Sequence, residues 1–313
     1  MRMDRRELAR VARLYHLEGI TQPQIARRLG ISVPTVSRAL ARAAEEGIVR
    51  ITIQDDDAGL HELERAVERR HPGLTCRVAP TSGRRDVTLG GLAGVGARYL
   101  QRALRRGELL GVSWGETLRG IAEALPDLGR LRVNTIPLLG SIGTIETGIY
   151  PSAIAQAYAR KLGGSAYLVN APGVVDSAAA RAALLRDSGF ASVRKLWDTV
   201  DAALLGVSAV DAEASIARSG ALSAREIARL GRAGVACATN FNFLRADGSP
   251  ADVPLAHRLI VMGIESLRRL RMVVLVAVGA EKAIPIRTAL AAGIGNVLFT
   301  DEEAARALLG GRP

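Results

Sequence analysis

The sequence predicts an α/β protein in two parts: a small N-terminal helix-turn-helix domain of the winged type, followed by a mostly parallel α/β domain. Three observations carry this prediction. Residues 19–50 hold two short helical patterns joined by a glycine turn. The acidic run Asp55–Asp56–Asp57 followed by Gly59 breaks the chain. Beyond it, apolar strand-like runs alternate with helical patterns, as a parallel sheet covered on both faces requires.

Length and composition agree with this division. With 313 residues and 48% apolar content, the chain holds a large core and a small companion domain. No run approaches the roughly 18 consecutive apolar residues of a membrane span, and the charged N-terminus is unlike a signal peptide. Cys76 and Cys237 lack metal-type spacing, and His16, His61, His71 and His257 form no ligand cluster. A cytoplasmic protein without metal, cofactor or membrane partner is expected. The first 54 residues carry ten arginines against five acids, whereas the other 259 residues contribute only +6 of the net +11. Such a concentration is the footprint of a surface that meets phosphates. Only three lysines accompany 39 arginines along the chain, so compositional bias contributes too.

Residues 4–18 read as a first helix, with Leu8, Val11, Ala12 and Tyr15 on one stripe. Gly19 ends it, and Thr21 caps a short second helix, Gln22–Leu29. After Gly30, Ser32 caps a third helix whose buried stripe is Val36, Ala39, Leu40 and Ala43. Pro34 is tolerated in its first turn, where amides have no intrahelical acceptor to lose. Residues 48–53 alternate as a short strand suited to a wing. Small residues at Ser32, Val33 and Thr35 let a helix end approach base edges, and Arg38 reaches a guanine or a phosphate. Arg27, Arg28 and Arg42 are placed for phosphates, and Thr21, Gln22, Gln24, Pro34 and Ser37 complete the candidate double-stranded DNA surface. An ordinary surface hairpin of helices is the competing reading.

The expected domains are 1–54 for DNA binding, 55–59 as linker and 60–313 for effector binding and oligomerisation. Residues 60–70 form a helix that either joins the second domain or pairs with a partner chain. Strands are expected at 109–112, 133–139, 166–169, 202–207, 273–278 and 297–300. Helices are expected at 87–105, 117–125, 153–162, 178–186, 224–230, 282–291 and 302–309. Four strands finish in glycine: LLGVSWG at 109–115, PLLGSIG at 137–143, LLGVS at 204–208 and VAVGAEK at 276–282. In an open parallel sheet these ends share one edge, where glycines admit a ligand to backbone amides. A small-molecule site is therefore expected there. The run GGLAGVG at 90–96 is no dinucleotide loop, because it lies within a helical pattern and follows no strand. Ser113 has no evident histidine partner, and no Walker A, HExxH or GxSxG sequence occurs.

Taken together, residues 17–51, GVSWGETL at 111–118, PLLGSIG at 137–143, LGGSAYLVNAPGVVDS at 162–177 and the stretch 262–309 resemble the SorC family of bacterial sugar-responsive transcription regulators. The resemblance spans essentially the whole chain and rests on the order and spacing of these segments. It implies an effector domain related in fold to sugar-phosphate isomerases, a tetramer on an operator, and a sugar, polyol or sugar phosphate as effector. It places the pocket at Gly115, Glu116 and Thr117, at Gly140, Ser141 and Gly143, and at Gly206, Gly279 and Lys282. There Lys282 supplies counter-charge, or is simply a solvated residue in a helix's first turn. The chain departs from the family where Ala238 and Arg245 replace usual acids in GVACATNFNFLRADG, 234–248. Arg245 either adds a cation to the pocket or lies on the surface. A ligand-gated regulator, acting as repressor or activator, is the expected function. The alternative is a sugar-phosphate isomerase or lyase with an appended DNA-binding head, for which Glu116 and Lys282 are the only candidate catalytic groups.

Overall fold

A computed structural model describes residues 3–49, 58–142, 150–210, 217 and 222–310. Its contacts divide the chain into two units, Met1–Asp56 and Asp57–Pro313.

The first unit contains α1 (Arg5–His16), α2 (Gln22–Leu29) and α3 (Val33–Glu45). Local sequence sets each start. Asp4 and Glu7 form a reciprocal capping box on α1, Thr21 and Gln24 do the same on α2, and the Ser32 hydroxyl accepts from the Thr35 amide. Gly30 ends α2 in the left-handed conformation, at φ 65°, where glycine pays no Cβ penalty. Leu8, Val11, Ala12, Ile25, Val36, Ala39 and Ala43 form the shared core. The stripe on α1 differs from expectation at one place: Leu14 is buried, and Tyr15 is 38% exposed. Met3 also packs into this core. The expected wing strand lies largely outside the described residues, as does most of the linker. Its last two residues, Ala58 and Gly59, begin α4 (Ala58–Arg70).

In the second unit the described residues form a nine-stranded sheet. Its strands are β1 (Thr75–Ala79), β2 (Leu109–Val112), β3 (Val133–Pro137), β4 (Gly163–Ala166), β5 (Ala202–Ser208), β6 (Val235–Thr239), β7 (Asn242–Arg245), β8 (Met272–Val276) and β9 (Val297–Asp301). Seven run parallel in the order β1-β9-β8-β5-β2-β3-β4. The remaining two, β6 and β7, form an antiparallel hairpin on the end of β5, through Val207 opposite Thr239 and Ser208 opposite Ala238. Alternate residues of the central strands enter opposite cores: Ala203, Leu205, Val273 and Leu275 on one face, Ala202, Leu204, Val274 and Val276 on the other. Burial on both faces explains why these strands read as unbroken apolar runs.

The helices cover both faces. They are α5 (Arg85–Ala103), α6 (Glu116–Ala124), α7 (Pro151–Leu162), α8 (Ala178–Arg186), α9 (Ser188–Trp197), α10 (Ala224–Arg232), α11 (Ile264–Arg268), α12 (Ala283–Ala291) and α13 (Glu302–Gly310). The run 90–96 lies inside α5, where Gly96 lets the helix press on Ile121 and Phe299. Sequence periodicity places a strand at 166–169, but β4 begins at Gly163. A Cβ at Gly163 or Gly164 would lie 2.2 or 2.0 Å from the carbonyl oxygens of Gly129 and Val133, so glycine permits the pairing. Tyr167 and Leu168, the apolar residues that suggested the strand, are exposed. None of the described helices is long and apolar enough to cross a membrane.

Candidate functional site

In the N-terminal unit, α3 presents Val33, Pro34, Ser37 and Arg38 to solvent, opposite its buried stripe. Ser32 and Thr35 are joined hydroxyl to hydroxyl at 2.8 Å, and Arg38 Nε donates to the Pro34 carbonyl at 3.3 Å. Arg27 and Arg28 are exposed on α2, with Arg28 facing Glu18 at 3.8 Å. Two residues of the expected surface are already engaged. Gln24 accepts from both the amide and the hydroxyl of Thr21, at 3.1 and 2.8 Å, so its amide oxygen closes the cap of α2. Arg42 is half-buried, donating to Glu46 at 2.7 Å and to the Met3 carbonyl at 3.1 Å. Those bonds tie the end of α3 to the start of the chain. Gln22 is half-buried and Thr21 exposed.

In the second unit the chain runs outward from β2 through β3 to β4, then returns to place β5 on the other side of β2. Such a reversal leaves a crevice at the carboxyl ends of the strands. A cavity of about 600 Å³ occupies that position, at the ends of β2, β5 and β8. Ser113 to Thr117 form its wall after β2, Gly206 to Ser208 after β5, and Val276 to Val278 after β8. Arg85, at the start of α5, faces it from one side. The hairpin β6–β7 covers it with Ala238, Asn240 and Phe241.

The cavity is amphipathic. Trp114, Phe241, Leu89, Val276 and Val278 give apolar walls, while Arg85, Lys282, Glu116 and Glu281 contribute charges of both signs to the lining. α6 begins at Glu116 after Gly115, at φ 132°, and among the described residues no side chain caps its first turn. An uncapped helix start offers donors to an anion or to hydroxyl oxygens. Lys282 is 15% exposed at its side chain, with Nζ 4.0 Å from Glu281 Oε1. Cys237 lies behind this wall. Burial pushes its thiol up to about 12 against a smaller opposing pull from Lys282, so it stays a neutral packing group.

Of the residues expected here, Gly115, Glu116, Thr117, Gly206 and Lys282 do line the cavity. Gly279 stands one residue beyond Val278, at φ 105°, and shapes the turn instead of facing the space. Gly140 and Ser141 are not part of the wall. A Cβ on Gly140 would meet the Ala171 carbonyl at 2.6 Å, and the Ser141 amide donates to that same carbonyl at 2.8 Å. That segment is therefore consumed in packing against residues 171–173. Gly143 lies outside the described residues. Arg245 is exposed and donates to the Pro250 carbonyl, away from the cavity, whereas Ala238 lines it.

Several contributors escaped the sequence reading. Asp301, 1% exposed, accepts from the Gly279 amide at 2.9 Å and from Thr81 at 3.0 Å, fixing the turn before Lys282. Asn240 sits in the hairpin loop, buried, with its Nδ2 donating to the Leu138 carbonyl at 3.1 Å. Among the described residues its Oδ1 has no partner. An orphaned buried acceptor costs roughly 1–3 kcal/mol. The only sequence signal for the hairpin was Asn240 and Asn242 between apolar neighbours, which is too weak to identify two strands. No cluster of metal-ligating side chains occurs among the described residues.

Known proteins resemble this chain over nearly its full length. A family model described as "Putative sugar-binding domain" matches residues 55–310, and one described as "Homeodomain-like domain" matches residues 2–51. The transcriptional regulator LsrR of Klebsiella pneumoniae subsp. pneumoniae is 32% identical over 307 residues, 96% of this chain and 92% of the relative. The deoxyribonucleoside regulator of Bacillus subtilis is 30% identical over 300 residues, 95% of each chain. The full-length sorbitol operon regulator SorC from Klebsiella pneumoniae matches with a TM-score of 0.75 at 29% identity, covering 97% of this chain and 98% of that one. These relatives are regulators, which favours regulation over the isomerase or lyase alternative.

Proposed function

Because the chain belongs to the SorC family of transcriptional regulators with a sugar-binding domain, we propose that a small carbohydrate in the cavity at the ends of β2, β5 and β8 controls its hold on operator DNA. The observation that carries this reading is the cavity itself. It lies at the reversal of strand order, has apolar walls for the C–H faces of a sugar, and offers polar groups that converge from several elements. We take Glu116, Thr117, Lys282 and Arg85 as its polar contacts. A sugar, a polyol or a phosphate ester of either fits these groups, the phosphate being drawn to the uncapped start of α6.

DNA reading is assigned to residues 1–54, with Ser32, Val33, Thr35, Ser37 and Arg38 towards base edges and Arg27 and Arg28 towards phosphates. One such helix reads few bases, so specificity comes from paired heads in a homo-oligomer, taken here as a tetramer in the cytoplasm. The effector then acts by population shift, binding better to the assembly whose heads hold one spacing.

The test is a gel-shift titration with DNA from upstream of the chain's own gene, with and without sorbitol, erythritol, deoxyribose and their phosphates. One of these ligands should change the apparent affinity, and at a hundred times its Kd it should stabilise the protein by about 2.7 kcal/mol. Sequence-independent DNA binding that no ligand alters, together with no thermal shift across the panel, would sink the proposal.

A further inference from the structure

We propose that the charged cluster of Glu64, Glu68 and Arg77, seated on Tyr99, is the joint through which occupancy of the cavity reaches the DNA-binding head. α4 is then the output element of the second unit, and Arg77 and Tyr99 are positioning residues outside the cavity. This inference rests on the effector reading of the cavity given above.

The joint begins at an edge strand. β1 ends the strand order and pairs with β9 on one side. The Thr75 amide points to that side, donating to the Asn296 carbonyl at 2.9 Å, so alternation turns the amides of Cys76 and Val78 to the open side. Among the described residues no strand meets them there. α4 supplies two carboxylates instead. Glu68 Oε1 accepts from the Cys76 amide at 2.8 Å, and Glu64 Oε1 from the Val78 amide at 2.9 Å. One helical turn of about 5.4 Å spans nearly the distance of two strand residues, about 6.6 Å, so acids four apart on α4 fit amides two apart on β1. Glu64 is only 8% exposed. Sliding α4 by a turn would strand a buried carboxylate and two amide donors, which holds the helix in one register.

Arg77 ties this contact to α5. Its Nη1 lies 3.3 Å from Glu68 Oε1 and 3.7 Å from Glu64 Oε2, and its guanidinium stands 5.7 Å from the centre of the Tyr99 ring. Tyr99 is on α5 and packs edge-on against Phe299 of β9, at 5.3 Å between centroids. Fourteen residues earlier on the same helix, about 21 Å along its axis, Arg85 lines the cavity, and Leu89 joins it. α5 thus has one end at the ligand and the other beneath Arg77. Between α4 and α5 a groove of about 740 Å³ stays open, with Val78, Gly90 and Gly94 in its lining. A Cβ at Gly90 would meet nothing within 4 Å, so α5 has room to shift towards α4 when a ligand draws on Arg85. Such a shift moves Tyr99 under Arg77 and alters the grip of Arg77 on the two acids. α4 is the first described element after the head in the chain, so its register on β1 sets where the linker leaves this unit.

Fluorescence anisotropy with the full chain and labelled upstream DNA tests this. The Kd for DNA is measured without ligand and with saturating sorbitol 6-phosphate, erythritol 4-phosphate or deoxyribose 5-phosphate, and calorimetry gives each ligand's own Kd. For the wild-type chain the most effective ligand should change DNA affinity about fivefold or more. Arg77→Met, which keeps the stem and removes the guanidinium, and Tyr99→Leu should bring that change below about twofold. Both should leave ligand-free DNA binding and effector binding within about threefold of wild type. Tyr99→Phe keeps the ring under Arg77 and should retain the wild-type response. Should the first two variants fail to fold, Glu68→Gln carries the test. It keeps an oxygen for the Cys76 amide, removes the charge opposite Arg77, and should lower the response about twofold or more. A wild-type response in the folded variants overturns the proposal and leaves the effector reading intact. Loss of effector binding in Arg77→Met or Tyr99→Leu also overturns it, by making these residues supports of the cavity. A wild-type chain whose DNA affinity none of the three ligands alters removes both.

Discussion

Arg38 is the residue on which the DNA-reading proposal turns, because it is exposed on the second turn of a helix whose opposite face is buried. Arg38→Ala should reduce preference for the operator over unrelated DNA by about 1–3 kcal/mol while leaving ligand-induced thermal shifts unchanged. Competition gel shifts measure the first and thermal melts the second; loss of both would mean the head is not an independent module. Asp301 is its counterpart in the other unit. It receives the Gly279 amide and the Thr81 hydroxyl, and also the Ala304 amide at 3.3 Å. Asp301→Ala strands these donors, with an expected loss of roughly 1–3 kcal/mol in denaturant melts and weaker effector binding. Unaltered ligand affinity would show that the Gly279 turn does not shape the cavity.

At the scale of elements, the hairpin side of the cavity depends on α10. Its Ser223–Glu226 capping box continues into an ion pair, with Arg258 Nη1 donating to Glu226 Oε1 at 2.9 Å. Burial pushes the Glu226 carboxyl up, but hydrogen bonds from Ser223 and Arg258 outweigh it and hold the group below its ordinary 4.5. A lowered carboxylate contributes stability that is complete above the unfolded value and lost as pH falls through the folded one. Glu226→Gln should therefore be less stable than wild type by roughly 1 kcal/mol at pH 7, with the gap closing below pH 4.5. Thermal melts of the two proteins across pH check this; a gap independent of pH would assign the loss to packing. The same scale shows why β6 and β7 were hard to read. Val235–Thr239 and Asn242–Arg245 are short, with polar residues at their ends, and one of their two faces packs against a separate small core with Leu230, Ala251 and Val253. Periodicity over four or five residues does not distinguish such strands from loop.

For the whole molecule, the proposed mechanism requires more than one head. Sedimentation velocity should find a tetramer, and saturating effector should change its DNA affinity without dissociating it into monomers. A protein monomeric at micromolar concentration that nevertheless binds its operator with full specificity would refute coupling through assembly. Much of the architecture was legible beforehand. The capped helices of the head follow from Thr21, Ser32 and Gly30, and the covered parallel sheet follows from strands apolar at every position, because capping and burial act over a few neighbouring residues. The glycine-ended strands likewise located the edge that carries the cavity. The resemblance placed Gly115, Glu116, Thr117, Gly206 and Lys282 there, and the tertiary structure decided the rest of the lining, Arg85 and the hairpin residues among it. Strand order sets β2, β5 and β8 side by side although they lie far apart in the chain, directs the loop after β3 into packing at Gly140, and folds Asn240 over the space. Neighbourhood across a sheet depends on crossovers between distant segments, and local patterns of charge and hydrophobicity do not encode it.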